Sequence, residues 1–202
     1  MYLFAAIMLI GCSSNTSTTA TSTTAISTGT NMPSCEGKIV FPDENLVHAL
    51  AQEPELWPAF DGTATLDELL PLTKVNEDSH EVGIKDLTGM QCLWNVEVID
   101  FPENSIENIE PLRWLSKLRF LNLNENYYIS DIAALAELEE LEYINLSDNP
   151  ISDISPLVAN QGIGAGDEIV LNDVDLDCDE QHENLIALHE RGVDVKSDCG
   201  QL

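Results

Sequence analysis

Five cysteines, four histidines and a run of aspartates hold most of the chemical capacity of this 202-residue chain. Cys178, His182, His189 and Cys199 together offer the ligand types that bind zinc. Their spacing, C-x3-H-x6-H-x9-C, is not that of a zinc finger, and two histidines seven apart share one helix face. A Cys178–Cys199 disulfide beside two solvated histidines fits the spacing better than a metal site. Asp173, Asp175, Asp177 and Asp179 alternate as calcium ligands do. An EF-hand loop counted from Asp173 needs Gly sixth and Glu twelfth, where Cys178 and Asn184 stand. Alternation with Val174, Leu176 and Cys178 instead describes an extended segment with its acids in water. The glycine-rich run Gly162-Ile163-Gly164-Ala165-Gly166 has no Lys beside it and no helix after it, so it reads as a loop. No nucleophile can be placed near His48 or His80. The expectation is a chain without catalytic residues, cofactor or metal.

The elements that carry these residues divide sharply by charge. Acidic residues number 36 against 8 basic ones, a formal net charge of -28, which argues against nucleic acid as a partner. Every charge lies from Glu36 onward. Residues 1–10, MYLFAAIMLI, are apolar but about half the ~20 residues a spanning helix needs, and they suit a signal-peptide core. Leu9-Ile10-Gly11-Cys12 resembles a bacterial lipobox, which implies cleavage before Cys12 and acylation of that residue. No Lys or Arg precedes Lys38, a departure from the basic start of such leaders. Ser13 and Ser14 after the cysteine resemble the sorting pattern for a Gram-negative outer membrane. Residues 13–34 are a Ser/Thr-rich tether whose composition cannot offset the entropy of ordering.

The acidic body repeats. Val96-Glu97-Val98-Ile99-Asp100-Phe101-Pro102-Glu103-Asn104 aligns with Leu118-Arg119-Phe120-Leu121-Asn122-Leu123-Asn124-Glu125-Asn126. Both align with Leu141-Glu142-Tyr143-Ile144-Asn145-Leu146-Ser147-Asp148-Asn149. Ile99 to Leu121 is 22 residues and Leu121 to Ile144 is 23, Tyr127-Tyr128 supplying the extra one. A looser copy starts at Glu168. Second halves recur as Ile106-x-x-Ile109-x-Pro111-Leu112, Ile129-x-x-Ile132-x-x-Leu135 and Ile151-x-x-Ile154-x-Pro156-Leu157. This is the L-x-x-L-x-L-x-x-N-x-L pattern of a leucine-rich repeat, and it resembles the 22-residue class of the internalin family.

The resemblance implies an α/β solenoid. Its parts would be a short horseshoe with a parallel concave sheet, a 3₁₀-type convex side, a helical N-terminal cap and a helix–strand C-terminal cap. The domain is expected over 35–202, with the cap at 36–83, repeats at about 84–177 and the C-terminal cap at 178–199. Asp43 is a candidate N-cap, Thr65-x-x-Glu68 a capping box, and Gly192 the stop of a helix that begins near Asp179. In an exported chain, the four cysteines beyond Cys12 favour disulfides. Cys178–Cys199 would pin the terminal helix and strand. Cys35–Cys92 competes with a buried free thiol at Cys92.

On such a sheet, alternate strand residues face outward. Val98, Phe120 and Tyr143 form one column, and Asp100, Asn122 and Asn145 the next, with Asn124 and Ser147 beyond. Exposed aromatics suit protein contact; the alternative is that Phe120 and Tyr143 pair across strands and stiffen the sheet. The acidic rim of Glu103, Glu125, Asp148 and Asp173 would favour a basic partner or a bridging cation. The functional expectation is a monomeric, lipid-anchored protein-interaction module of the cell envelope. The alternative is a structural envelope lipoprotein without a specific ligand.

Overall fold

The computed structural model describes residues 33–56, 60–76 and 83–200. The expected leader, Cys12 and all but two residues of the tether lie outside the described residues, as does His80. Among the described residues no helix is long and apolar enough to cross a membrane.

The repeats make one parallel sheet of six short strands in sequence order: β3 (Lys74–Asn76), β4 (Val98–Asp100), β5 (Phe120–Asn122), β6 (Tyr143–Asn145), β7 (Glu168–Leu171) and β8 (Asp194–Ser197). The register pairs Val75, Ile99, Leu121, Ile144, Ile169 and Val195 in one inward row. The first five of these are buried. Phe101, Leu123, Leu146 and Leu171 follow two residues later and are buried as well. One repeat cannot cover this edge alone, so each needs its neighbours.

The four strands β4 to β7 each end at a sharp corner. Glu103, Glu125, Asp148 and Asp173 take left-handed backbone there, with φ of 55°, 56°, 57° and 52°. The asparagine after each of the first three turns inside and is buried. Asn126 Nδ2 donates to Phe101 O at 2.9 Å and Leu123 O at 3.1 Å, and Asn149 Nδ2 to Leu123 O at 2.8 Å and Leu146 O at 3.0 Å. A corner frees backbone carbonyls that water cannot reach, and the amide satisfies them.

The convex side is built from 3₁₀ turns at Met90–Cys92, Glu110–Trp114 and Ala133–Glu137. The next convex segment is a short α-helix, α3 (Ser155–Ala159), which differs from the 3₁₀-type back expected throughout. Its end is held by Asn160, whose Nδ2 donates to Leu135 O and Leu138 O at 2.7 and 2.9 Å.

The N-terminal segment is more mixed than the helical cap expected over 36–83. Helices α1 (Glu44–Leu50) and α2 (Leu66–Leu69) accompany an antiparallel pair, β1 (Ile39–Val40) with β2 (Thr63–Ala64), and β3 already belongs to the main sheet. Runs of two to four residues are too short for periodicity to separate helix from strand. Asp43 caps α1 through Oδ1, which accepts from Asn45 N and Leu46 N at 2.8 and 3.0 Å. Its Oδ2 accepts from Lys85 N and Asp86 N at 2.8 and 3.0 Å, tying the helix to the first repeat. Glu68 Oε2 accepts from Thr65 N at 2.7 Å, closing the start of α2.

At the far end α4 (His182–Glu190) stops at Gly192, φ +86°, and leads into β8. Arg191 donates to Asn160 O at 2.9 Å and Val158 O at 2.6 Å, clamping this terminus to α3. Disulfides join Cys35 to Cys92 and Cys178 to Cys199. Cys92 is therefore bonded rather than a free core thiol, because the segment ahead of β1 places Cys35 against the 3₁₀ turn at Met90–Cys92, 5.6 Å away Cα to Cα.

Candidate protein-binding face

The parallel register builds the concave surface from one short strand per repeat. The first outward column runs Lys74, Val98, Phe120, Tyr143, Glu168, Asp194. The second runs Asn76, Asp100, Asn122, Asn145, Val170, Lys196 along the same ladder. Val98, Asp100, Phe120, Asn122, Asn124, Tyr143 and Asn145 are all half-buried, their backbones fixed and their side chains open to one side.

Phe120 and Tyr143 stack with ring centroids 4.6 Å apart and planes 8° from parallel. Asn122 Nδ2 donates to Asp100 Oδ1 at 2.8 Å, so the polar column is joined crosswise as well. Asn122 Oδ1 and Asn145 Oδ1 each accept the N–H two residues on, from Asn124 at 3.3 Å and Ser147 at 3.1 Å. Ser147 is the exception among the expected contact residues. It is only 8% exposed, and its Oγ accepts Asn172 N–H at 3.3 Å. The strand curls into the corner there and closes the hydroxyl off, so Ser147 supports the face without forming part of it.

A family model described as leucine-rich repeats, in two copies, matches residues 116–159. Residues 116–159 thus carry leucine-rich repeats. No curated protein matches the sequence. Solved structures with similar shape include an internalin (inlF) from Listeria monocytogenes, 18% identical with a TM-score of 0.48, over 81% of this chain and 58% of that one. The chain thus spans little more than half the length of that structure. Internalin C2 (inlC2) from the same organism is 16% identical with a TM-score of 0.29, over 78% of this chain and 94% of that one. CBM51-2 and INT domains of Clostridium perfringens ZmpB are 24% identical with a TM-score of 0.39, over 57% of this chain and 21% of that one.

The leucine-rich-repeat sheet extends further at its N-terminal end than the sequence pattern indicates, while its last strand falls where the C-terminal cap was expected. Lys74 and Asn76 stand 24 residues before Val98 and Asp100, off the 22-residue period, and three residues carry too little alternation to find. Lys196 closes the other end, its Nζ 2.6 Å from Glu168 Oε1. The remaining candidates do not converge. Cys178 and Cys199 are consumed by their disulfide, and His182 and His189 are exposed on α4. Among the described residues no group of three or more His, Cys, Asp or Glu is arranged to hold a metal ion. An open cleft of about 740 Å³ along β8 is lined by Asn172, His189, residues 192–197 and Gly200.

Proposed function

We propose that the leucine-rich-repeat domain is a non-catalytic protein-binding module whose concave sheet meets the partner. The observation that carries this reading is the half-exposed Phe120–Tyr143 stack beside the linked Asp100–Asn122 pair. These side chains are held in place before any partner arrives, so little rotamer entropy remains to be lost on binding. Aromatic groups at the centre of a surface, with a polar surround, match the anatomy of protein interfaces. Display on the envelope through an acylated Cys12, at the outer membrane, belongs to the same proposal. It rests on the lipobox-like Leu9-Ile10-Gly11-Cys12 and on the uncharged tether.

The test begins with a photoreactive group at Val98, crosslinking on intact cells and identification of the captured protein. The purified pair is then measured with Phe120→Ala/Tyr143→Ala. A loss of tenfold or more in affinity, with unchanged circular dichroism, is expected. Undiminished affinity would sink the concave-face reading. Palmitate-analogue label that survives Cys12→Ala would refute the anchor. The stack itself favours a second reading, in which the two rings satisfy each other and the repeat is a structural envelope component without a ligand.

A further inference from the structure

One irregularity in the repeat lies outside the concave face, at the inserted residue of Tyr127-Tyr128. In the preceding corners the buried asparagine also accepts a backbone N–H from twenty residues upstream. Asn104 Oδ1 takes Ile84 N at 2.7 Å, and Asn126 Oδ1 takes Ile106 N at 3.0 Å. The equivalent donor for Asn149 is Ile129 N. One residue separates Asn104 from Ile106, but two separate Asn126 from Ile129. Asn149 Oδ1 is left without a protein donor although Asn149 is only 2% exposed. Tyr127 is forced to φ +23°, a region that a bulky residue rarely adopts. The insertion thus coincides with a missing buried hydrogen bond and a strained backbone. What it adds is two tyrosines, 58% and 59% exposed.

A departure from a repeat's own rules that lowers stability marks a place where function outweighs it. The surroundings define what the tyrosines could meet. Glu103 N, Glu125 N and Asp148 N donate in turn to Asn124 O, Ser147 O and Asn172 O, at 2.9, 3.0 and 3.0 Å. The corner residues are thus laddered like strands, at the ~4.8 Å spacing of a sheet. Glu103, Glu125, Asp148 and Asp173 form a row of like charges along one rim, continued by Asp198, whose Oδ2 accepts Asp173 N–H. Tyr127 Oη donates to Glu125 Oε2 at 2.9 Å, which attaches Tyr127 to that row, with Tyr128 exposed next to it in the chain. Burial and the neighbouring Asp173, Glu125 and Asp198 raise the Asp148 carboxyl above its ordinary value.

We propose that Tyr127 and Tyr128, with the Glu125 and Asp148 carboxylates beside them, form a second docking surface for an arginine- or lysine-rich segment of a partner protein. Guanidinium and ammonium groups stack on tyrosine faces and pair with carboxylates, so one cationic strand satisfies both halves of the surface. The tyrosine pair supplies the contact area, and the acidic row sets the sign of the partner. This surface is separate from the concave Phe120–Tyr143 stack, so each can fail without the other.

The experiment uses the whole chain and a fluorescein-labelled peptide of alternating arginine and glycine, read by fluorescence anisotropy at about 0.15 M salt, where long-range attraction is screened within ~8 Å. Tyr127→Ser/Tyr128→Ser is expected to weaken binding at least tenfold, and so is Glu125→Gln/Asp148→Asn. The control Glu139→Gln/Glu140→Gln removes the same charge from another exposed site and should stay within twofold. Deleting Tyr128, which restores the 22-residue spacing, should weaken binding as the tyrosine substitutions do. No binding by the unaltered chain, full binding by the tyrosine variant, or an equal loss in the control would overturn the proposal.

Discussion

Asp43 shows how much one side chain can hold. Burial opposes its charge, yet backbone N–H groups of Lys85, Asp86, Leu46 and Asn45 outweigh that and hold the carboxyl below its ordinary value. A depressed carboxylate contributes stability that is present above its unfolded value, about 4, and lost as pH falls through the lower folded value. Asp43→Ala should cost about 1–2 kcal/mol at neutral pH, as lost N-caps do, and flatten the acid limb of the stability curve. An unchanged acid limb would show that Asp43 does not carry it. Asn149 is the opposite case, a buried acceptor with no protein donor. Deleting Tyr128 should realign Ile129 N–H with it and raise the unfolding midpoint; a lower midpoint would show that the tyrosine corner is supported in another way. The N-cap is legible in the sequence because it is local. The orphaned amide is not, because it depends on what the neighbouring repeat presents twenty residues away.

At the scale of elements, repeats contact only their neighbours, so stability is distributed along the coil and the ends are the vulnerable points. The disulfide between Cys178 and Cys199 closes 21 residues around α4 and β8, a loop whose cross-link contributes about 3 kcal/mol. Replacing both cysteines by alanine should speed amide exchange in β8 and α4 while leaving β4–β6 protected. Uniform acceleration along the whole sheet would contradict this nearest-neighbour behaviour. The repeat strands and the final helix follow from the sequence pattern. The antiparallel β1–β2 pair, β3 and the α-helical turn at Ser155–Ala159 do not, since in segments this short long-range packing outweighs local preference. Gly162 illustrates the point. The sequence marks it only as a loop residue, yet a Cβ there would lie 1.8 Å from Glu139 O, so the preceding repeat leaves room for glycine alone.

For the whole molecule, charge is the governing property. A net charge of -28 and a laddered acidic rim make the folded body repel itself. Raising sodium chloride from about 0.02 to 0.5 M shortens the screening length several-fold and should raise the thermal midpoint. A midpoint that falls with salt would mean that ion pairs such as Arg119–Glu142 and Lys196–Glu168, both at 2.6 Å, outweigh the repulsion. By itself the sequence determined the repeat, the inward row from Ile99 to Ile169, the asparagine corners and the two outward columns, because each recurs at a fixed short spacing. Only the tertiary structure decided the stacking of Phe120 on Tyr143, the closing-off of Ser147, the bonding of Cys35 to Cys92 and the loss of a donor at Asn149. Those outcomes depend on contacts between residues 20 to 57 apart, and they are set by how the coils stack.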